Sequence, residues 1–354
     1  MMTLKEILKQ ILTFNKPNYS WDLPIIAGLS IVGPLLLGFM IGDIEAGKLA
    51  SIGALVILYI QSDKLVNRMM ILMVCGFMFV FSYTIGTIFS FSSWLKPLML
   101  GLYTFGIHFS IKKMELTKPP GNFFFIMVTC IAIAVPHNAA QVATSIGQFS
   151  IGVMMVCLVA LVYSVFRLKG IANKPNVVVV NKKTHGNVLE SIIFGFMIGL
   201  SLMIADLLKM TNPYWVPISC MAIMQGVSTK HVWARAIQRI LGTFVGLGLT
   251  WFVLHLHITP LGICFSILIL QIIVEFWIPR NYGIAVIFVS MMTIFMAESN
   301  QSLIFDTNHL IATRFLDILL GCTLGIMGGW LLYHQRIRFF ARKQLQKLKT
   351  GVLQ

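Results

Sequence analysis

Apolar stretches recur along nearly the whole chain, separated by short polar or basic turns: 23–42, 46–61, 65–89, 94–111, 121–136, 146–166, 188–209, 213–227, 236–257, 259–278, 283–297 and 310–333. A helix rises about 1.5 Å per residue, so roughly 20 apolar residues cross a hydrocarbon layer of about 30 Å. The pattern therefore predicts an all-α membrane protein with twelve transmembrane helices, several of them short. A polar interruption at 167–187 divides these spans six and six. The organisation this predicts is a cytoplasmic interfacial helix over 1–22, a first six-helix repeat over 23–166, a cytoplasmic linker over 167–187, a second six-helix repeat over 188–335, and a basic cytoplasmic tail over 336–354. An even number of spans per half gives both halves the same orientation, as in the parallel repeats of transporters. Within 1–22, Leu4, Ile7, Leu8, Ile11 and Leu12 share a helical face opposite Lys5 and Lys9. That stretch either lies in the interface or extends the first span into the cytoplasm. It has no apolar core followed by a small-residue cleavage site, so no signal peptide is expected.

Composition agrees with the pattern. The chain is 57% hydrophobic and 11% charged, with a mean hydropathy of +0.85, whereas soluble domains carry about 25% charged residues. A net charge of +15 in a soluble chain would point to nucleic acid; here its placement points elsewhere. With the N-terminus inside, all of the 27 basic residues except Lys48, Lys96, Lys209 and Arg314 fall in cytoplasmic segments. This asymmetry predicts a multi-pass membrane protein with both termini cytoplasmic, the lipid bilayer as its partner, and no nucleic acid bound. The six cysteines all lie in apolar runs without CxxC spacing and read as small core residues. Val177–Val180 is a brief strand-like run in the linker, and His255 with His257 is expected at a solvated outer turn. No metal-ligand cluster, nucleophile elbow or phosphate-cradling loop is present in the sequence, so neither an enzyme nor a cofactor is expected.

The halves share a faint residue-level match. Ala312-Thr313 to Gly321 aligns with Ala143-Thr144 to Gly152, and the basic turn at Arg235 aligns with that at Arg68. Arg314 and Asp317 correspond to Ser145 and Gln148, so the intramembrane charges belong to the second half.

The stretch Pro213 to Gly246 combines a short span shaped by Pro213 and Pro217, a turn with Lys230, His231, Arg235 and Arg239 at helical spacing, and a GxxxG step at Gly242 and Gly246 that favours close helix approach. Together with RNYGIAVIF (Arg280 to Phe288) and RFLDILLG (Arg314 to Gly321), it resembles the fusaric acid resistance family, also called aromatic acid exporters. The resemblance covers 188–335. It implies a secondary transporter of the bacterial inner membrane that exports small organic or aromatic anions, coupled to protons. Relatives often carry a sizeable soluble domain after the first six spans, where about twenty residues stand here.

Ionisable groups within the hydrocarbon are costly, which makes each a site candidate. Arg314 and Asp317, three apart on one helical face, read either as an anion contact with a proton carrier or as a clip that neutralises itself. Arg239, in QRILGT, reads either as the anion-binding guanidinium or as a snorkelling anchor. Glu275 is a second candidate proton site, pairing with Arg280 or Arg239, and Asp206 is expected to be solvated. Tyr214, Trp215 and Tyr282 suit an interfacial belt unless they face inward, where Tyr214 and Tyr282 would contact substrate. Gln225 is placed deep in the short span, bonding to substrate or to a neighbouring helix. The expected path runs through the second half, with Arg239, Gln225, Arg314 and Asp317 in one pocket. Two other functions fit the same residues: a passive organic-anion channel, suggested by a distant likeness to plant aluminium-activated malate channels that also leaves a homodimer open, and a non-transport membrane partner of an envelope pathway.

Overall fold

Each predicted apolar stretch contains one α-helix. The computed structural model describes residues 13–15, 21–60, 65–114, 116, 120–135, 139–167, 184–255, 259–297 and 307–334. Among these the helices are α1 (Asp22–Ile41), α2 (Ile44–Gly53, continued by a 3-10 turn Ala54–Tyr59), α3 (Leu65–Phe89), α4 (Leu95–Lys113), α5 (Phe123–Ala134), α6 (Val142–Arg167), α7 (Thr184–Leu207), α8 (Trp215–Met224), α9 (Thr229–Leu254), α10 (Pro260–Trp277), α11 (Tyr282–Ala297) and α12 (Thr307–Tyr333). Six of them, α1, α3, α6, α7, α9 and α12, are long and apolar enough to cross a membrane; α5, α8, α10 and α11 are apolar but shorter. The chain is an all-helical, multi-pass membrane protein, and its lipid-facing flanks are apolar, as exposed Phe77, Phe166, Phe196 and Phe252 illustrate.

Local chemistry sets several boundaries. Gly42 ends α1 in the left-handed region at φ 84°, and Asp43 caps α2 by accepting from Ala46 N at 2.9 Å. Ser228 caps α9 and Thr259 caps α10, which opens on Pro260. Asn281 accepts from Ile284 N at 3.1 Å at the head of α11.

In the first half, α2 packs on α1 and α6, and α3 packs on α5 and α6; in the second, α8 packs on α7 and α12, and α9 on α11 and α12. Two further contacts join the halves, α4 along α7 and α10 along α1. Glycines permit the closest of these approaches. A Cβ at Gly242 would stand 2.7 Å from Gly283 O, and one at Gly246 would be 2.9 Å from Ser290 Cβ, so α9 lies directly against α11. A Cβ at Gly321 would be 2.6 Å from Val216 O on α8. Gly152 meets Ala50 of α2 in the same way. None of these glycines faces lipid.

Helix α8 has ten residues, all of them buried. At about 1.5 Å per residue it spans roughly half a hydrocarbon core. It is enclosed by α5, α7, α9 and α12, which explains why an uninterrupted apolar sequence suits it. Two boundaries differ from expectation. Residues 13–15 are not helical: Asn15 N donates to Arg280 O at 3.0 Å and Asn281 Nδ2 to Thr13 O at 3.3 Å, tying this segment to the α10–α11 turn. Helix α7 begins at Thr184, inside the expected linker. Residues 1–12 and 16–20, most of the linker with Val177–Val180, His257 and the tail beyond 334 lie outside the described residues.

Candidate functional site

A cavity of about 1150 Å³ opens at one end of the helix assembly. Its wall draws on the starts of α1, α5, α7 and α9, on the ends of the 3-10 turn, α4, α10 and α12, and on the whole length of α8 and α11, from Tyr214 to Gln225 and from Tyr282 to Met296. The starts and ends that meet here alternate along the chain because consecutive helices run in opposite directions, and α8 and α11 carry the wall inward from that end. Among the described residues, Lys48, Lys96, Asp206, Lys209 and His255, which belong to the opposite end, do not line it. The cavity is mostly apolar, with aromatic walls from Phe123, Phe124, Phe194, Tyr214, Trp215 and Tyr282.

Arg239 is the most deeply placed cation on this wall. It is 8% exposed, its guanidinium donates to Tyr282 Oη and to Ser219 Oγ, each at 3.2 Å, and its Nε is buried without an acceptor. One turn earlier, Arg235 lies over the Tyr282 ring at 4.4 Å. Two like charges four residues apart on a helix repel, and Tyr282 of α11 sits between them, its face toward one and its hydroxyl toward the other. Among the described residues neither arginine contacts a carboxylate. A buried cation held only by hydroxyls retains most of its charge, and the low dielectric around it strengthens attraction to any anion entering the cavity.

Glu275 is the acidic counterpart on α10. Gln271 Nε2 donates to it at 3.1 Å, and it pairs with neither Arg239 nor Arg280, contrary to expectation. Arg280 instead lies over the Phe276 ring at 3.6 Å. The cavity thus carries basic and acidic side chains on different helices that do not pair with one another among the described residues.

Three placements depart from the sequence reading. Gln225 lines the cavity but stands in the turn after α8, half-buried rather than deep; the deep polar group of that helix is Ser219, fully buried against Arg239. Tyr214 and Trp215 are 8% and 6% exposed and face the cavity, as does half-buried Tyr282, so none of the three forms a lipid-interface belt. The cavity does not by itself join Arg239 and Gln225 to Arg314 and Asp317, as a single pocket would. Arg314 and Asp317 are 3% and 1% exposed but do not line the cavity. Arg314 sits behind its wall, its guanidinium 3.1 Å from the Trp215 ring centroid and donating to Thr293 Oγ1 at 2.9 Å. Asp206, expected to be solvated, is half-buried.

The wall also extends beyond the second half. His108 and Lys112 on α4 and Glu190 on α7 line the cavity. His108 Nδ1 is 2.8 Å from Ser191 Oγ and its ring stacks on Phe194 at 4.5 Å, while Lys112 pairs with Glu190 at 3.3 Å. The i, i+4 spacing of His108 and Lys112 was legible in the sequence. A basic residue near a span end also satisfies the positive-inside rule, and that simpler reading hid it.

Residues 200–328 match the family described as fusaric acid resistance protein-like. Over 165 residues the chain is 29% identical to a protein of Bacillus subtilis (strain 168) described as uncharacterized membrane protein YvaC; the match covers 47% of this chain and 25% of that protein. The matched part is thus about a quarter of that relative's length. No solved structure matches the chain. The family match contains Arg239, Glu275, Arg314 and Asp317 but not His108, Lys112 or Glu190.

Proposed function

We propose that this protein is a secondary transporter that exports small organic anions, with an aromatic or apolar body, from the bacterial cytoplasm in exchange for protons. The observation that carries the reading is Arg239: a buried guanidinium held by hydroxyls, without a carboxylate partner among the described residues, at the wall of an apolar, aromatic-lined cavity. Such a cation is retained where an anion comes to it, and its planar fork suits a carboxylate. The surrounding rings accept an apolar body. Glu275, held by an amide alone, is the group we assign to the proton. Arg239, Gln225, Tyr214 and Tyr282 would contact the anion from this cavity.

Two six-helix repeats support alternating access. The packing of α8 on α7 and α12 corresponds to that of α2 on α1 and α6, and the packing of α9 on α11 and α12 to that of α3 on α5 and α6. The contact of α10 with α1 answers that of α4 with α7. Gly152 against α2 answers Gly321 against α8, as their aligned positions require. This arrangement favours twelve crossings with both termini cytoplasmic and the cavity mouth facing the cytoplasm.

Purified protein in liposomes tests the function: benzoate efflux should rise when a proton gradient opposes it, and Glu275→Gln should leave flux insensitive to that gradient. Efflux unchanged by the gradient in the wild type rejects the coupling, and absence of flux for a panel of aromatic and hydroxy acids rejects the transporter. Orientation is tested separately by cysteine labelling in intact cells, where Asn138→Cys and Asn300→Cys should react and Asn173→Cys should be protected. The reverse pattern would invert the topology.

A further inference from the structure

We propose that residues 13–15 form a strap at the mouth of the cavity, and that release of this strap sets how readily a solute reaches Arg239. Thr13 and Asn15 both line the cavity, whereas Phe14 between them meets the edge of Trp277, with ring centroids 6.3 Å apart. Alternation of this kind is what an extended segment imposes on its side chains. The strap is fastened to the corner between α10 and α11: Asn15 N donates to Arg280 O at 3.0 Å, and Asn281 Nδ2 donates to Thr13 O at 3.3 Å. Trp21, just before α1, stacks on Phe276 of the same corner at 4.6 Å. Asn281 immediately precedes Tyr282, whose hydroxyl accepts from Arg239. The strap therefore crosses the cavity wall beside the cation.

Its fastenings suit a latch better than a fixed wall. Thr13, Phe14 and Asn15 are all exposed, Phe14 by 54%, so opening forfeits little apolar burial, and such segments open locally far more easily than the fold unfolds. Cap and latch use different atoms of Asn281: its Oδ1 accepts from Ile284 N at the head of α11, and its Nδ2 holds Thr13 O. The latch can thus open while the helix start stays capped. An asparagine at such a helix head does not require a strap. Asn122, before α5, lines the same cavity, and there Nδ2 is buried without a hydrogen-bond partner among the described residues. The strap acts on any solute that enters, whether or not the protein is a transporter.

Arginine modification by phenylglyoxal, mapped by mass spectrometry on the full chain in detergent, tests the strap. Arg239 reports on the cavity, and Arg68, 5% exposed and not part of the cavity wall, reports on the fold as a whole. Asn15→Pro removes the N–H that bonds Arg280 O. Asn281→Ser keeps a capping hydroxyl for Ile284 N but is too short to hold Thr13 O. Each should raise the Arg239 rate about fivefold, the weight of one hydrogen bond on the open fraction, with the Arg68 rate unchanged. Phe14→Ala should act in the same direction, and because Phe14 is largely exposed this variant does not depend on core packing to fold. An Arg239 rate equal to wild type in all three variants overturns the strap. Arg239 and Arg68 accelerating together also overturns it, since the substitutions would then be loosening the whole protein.

Discussion

Leucine at Gly246 should prevent assembly of the second half, whereas leucine at Gly248, two residues along the same helix, should be tolerated. At Gly246 an added Cβ meets the Ile287 carbonyl and stands 2.9 Å from Ser290 Cβ, on the backbone of α11. Overpacking typically costs about 1–3 kcal/mol where side chains can yield. A backbone carbonyl cannot yield without moving its helix, and moving α11 displaces Tyr282 from Arg239 and Arg235 and breaks the Ser290–Thr243 hydrogen bond at 3.2 Å. At Gly248 nothing lies within 4 Å, and the position is exposed on the lipid-facing side of α9. Expression level, monodispersity in detergent and thermal melting of the two variants measure the contrast. Equal behaviour of Gly246→Leu and Gly248→Leu would show that α9 and α11 are not in close contact.

Arg239→Gln should sharply weaken anion binding while leaving the protein folded. The substitution keeps a polar donor next to Ser219 and Tyr282, so neither buried hydroxyl loses every partner, and it removes a buried charge that costs energy in the free protein. A hydrogen bond to a charged group contributes about 1.5–3 kcal/mol, so losing the guanidinium should weaken affinity for benzoate by roughly tenfold to a hundredfold. Arg239→Lys restores the charge but not the planar fork and should recover only part of the affinity. Tyr282→Phe removes one hydrogen bond to Arg239 at 3.2 Å while keeping the ring beneath Arg235, and should have a smaller effect. Isothermal titration or a thermal-shift series reads the ranking. A wild-type benzoate affinity in Arg239→Gln would move the anion site elsewhere on the cavity wall, with the Lys112–Glu190 pair as the next position to examine.

The contrast between Arg239 and Arg314 shows how far residue type leads. Both are arginines in apolar runs, and for each the sequence offered an anion contact beside a structural role, a clip with Asp317 for Arg314 and a snorkelling anchor for Arg239. What separates them is contact: Arg239 has cavity surface, and Arg314 is screened from it by Trp215 and Thr293. Glu275 is a similar case, since its spacing to Arg280 suggested a pair, yet the side chains turn to Gln271 and to the Phe276 ring. Distance along a helix constrains which residues share a face, but which face meets a cavity is set by neighbouring helices.

What the sequence determined by itself was the class and the list of helices. Each apolar stretch became a helix because, without water to bond the backbone, a spanning segment must satisfy its own N–H and C=O groups, and helix length then follows directly from the length of the apolar run. Small residues at Gly242, Gly246 and Gly321 likewise marked close approach before any partner was known, since a missing side chain is a local property. Only the tertiary structure decided which helices those glycines meet, that α4 and α7 contribute His108, Lys112 and Glu190 to the cavity, that Ser219 rather than Gln225 is the deep polar contact of α8, and that Trp215 stands in front of Arg314. In a chain whose lipid-facing and protein-facing surfaces are equally apolar, hydrophobic periodicity carries little information about orientation. The faces are assigned by packing between residues far apart in sequence.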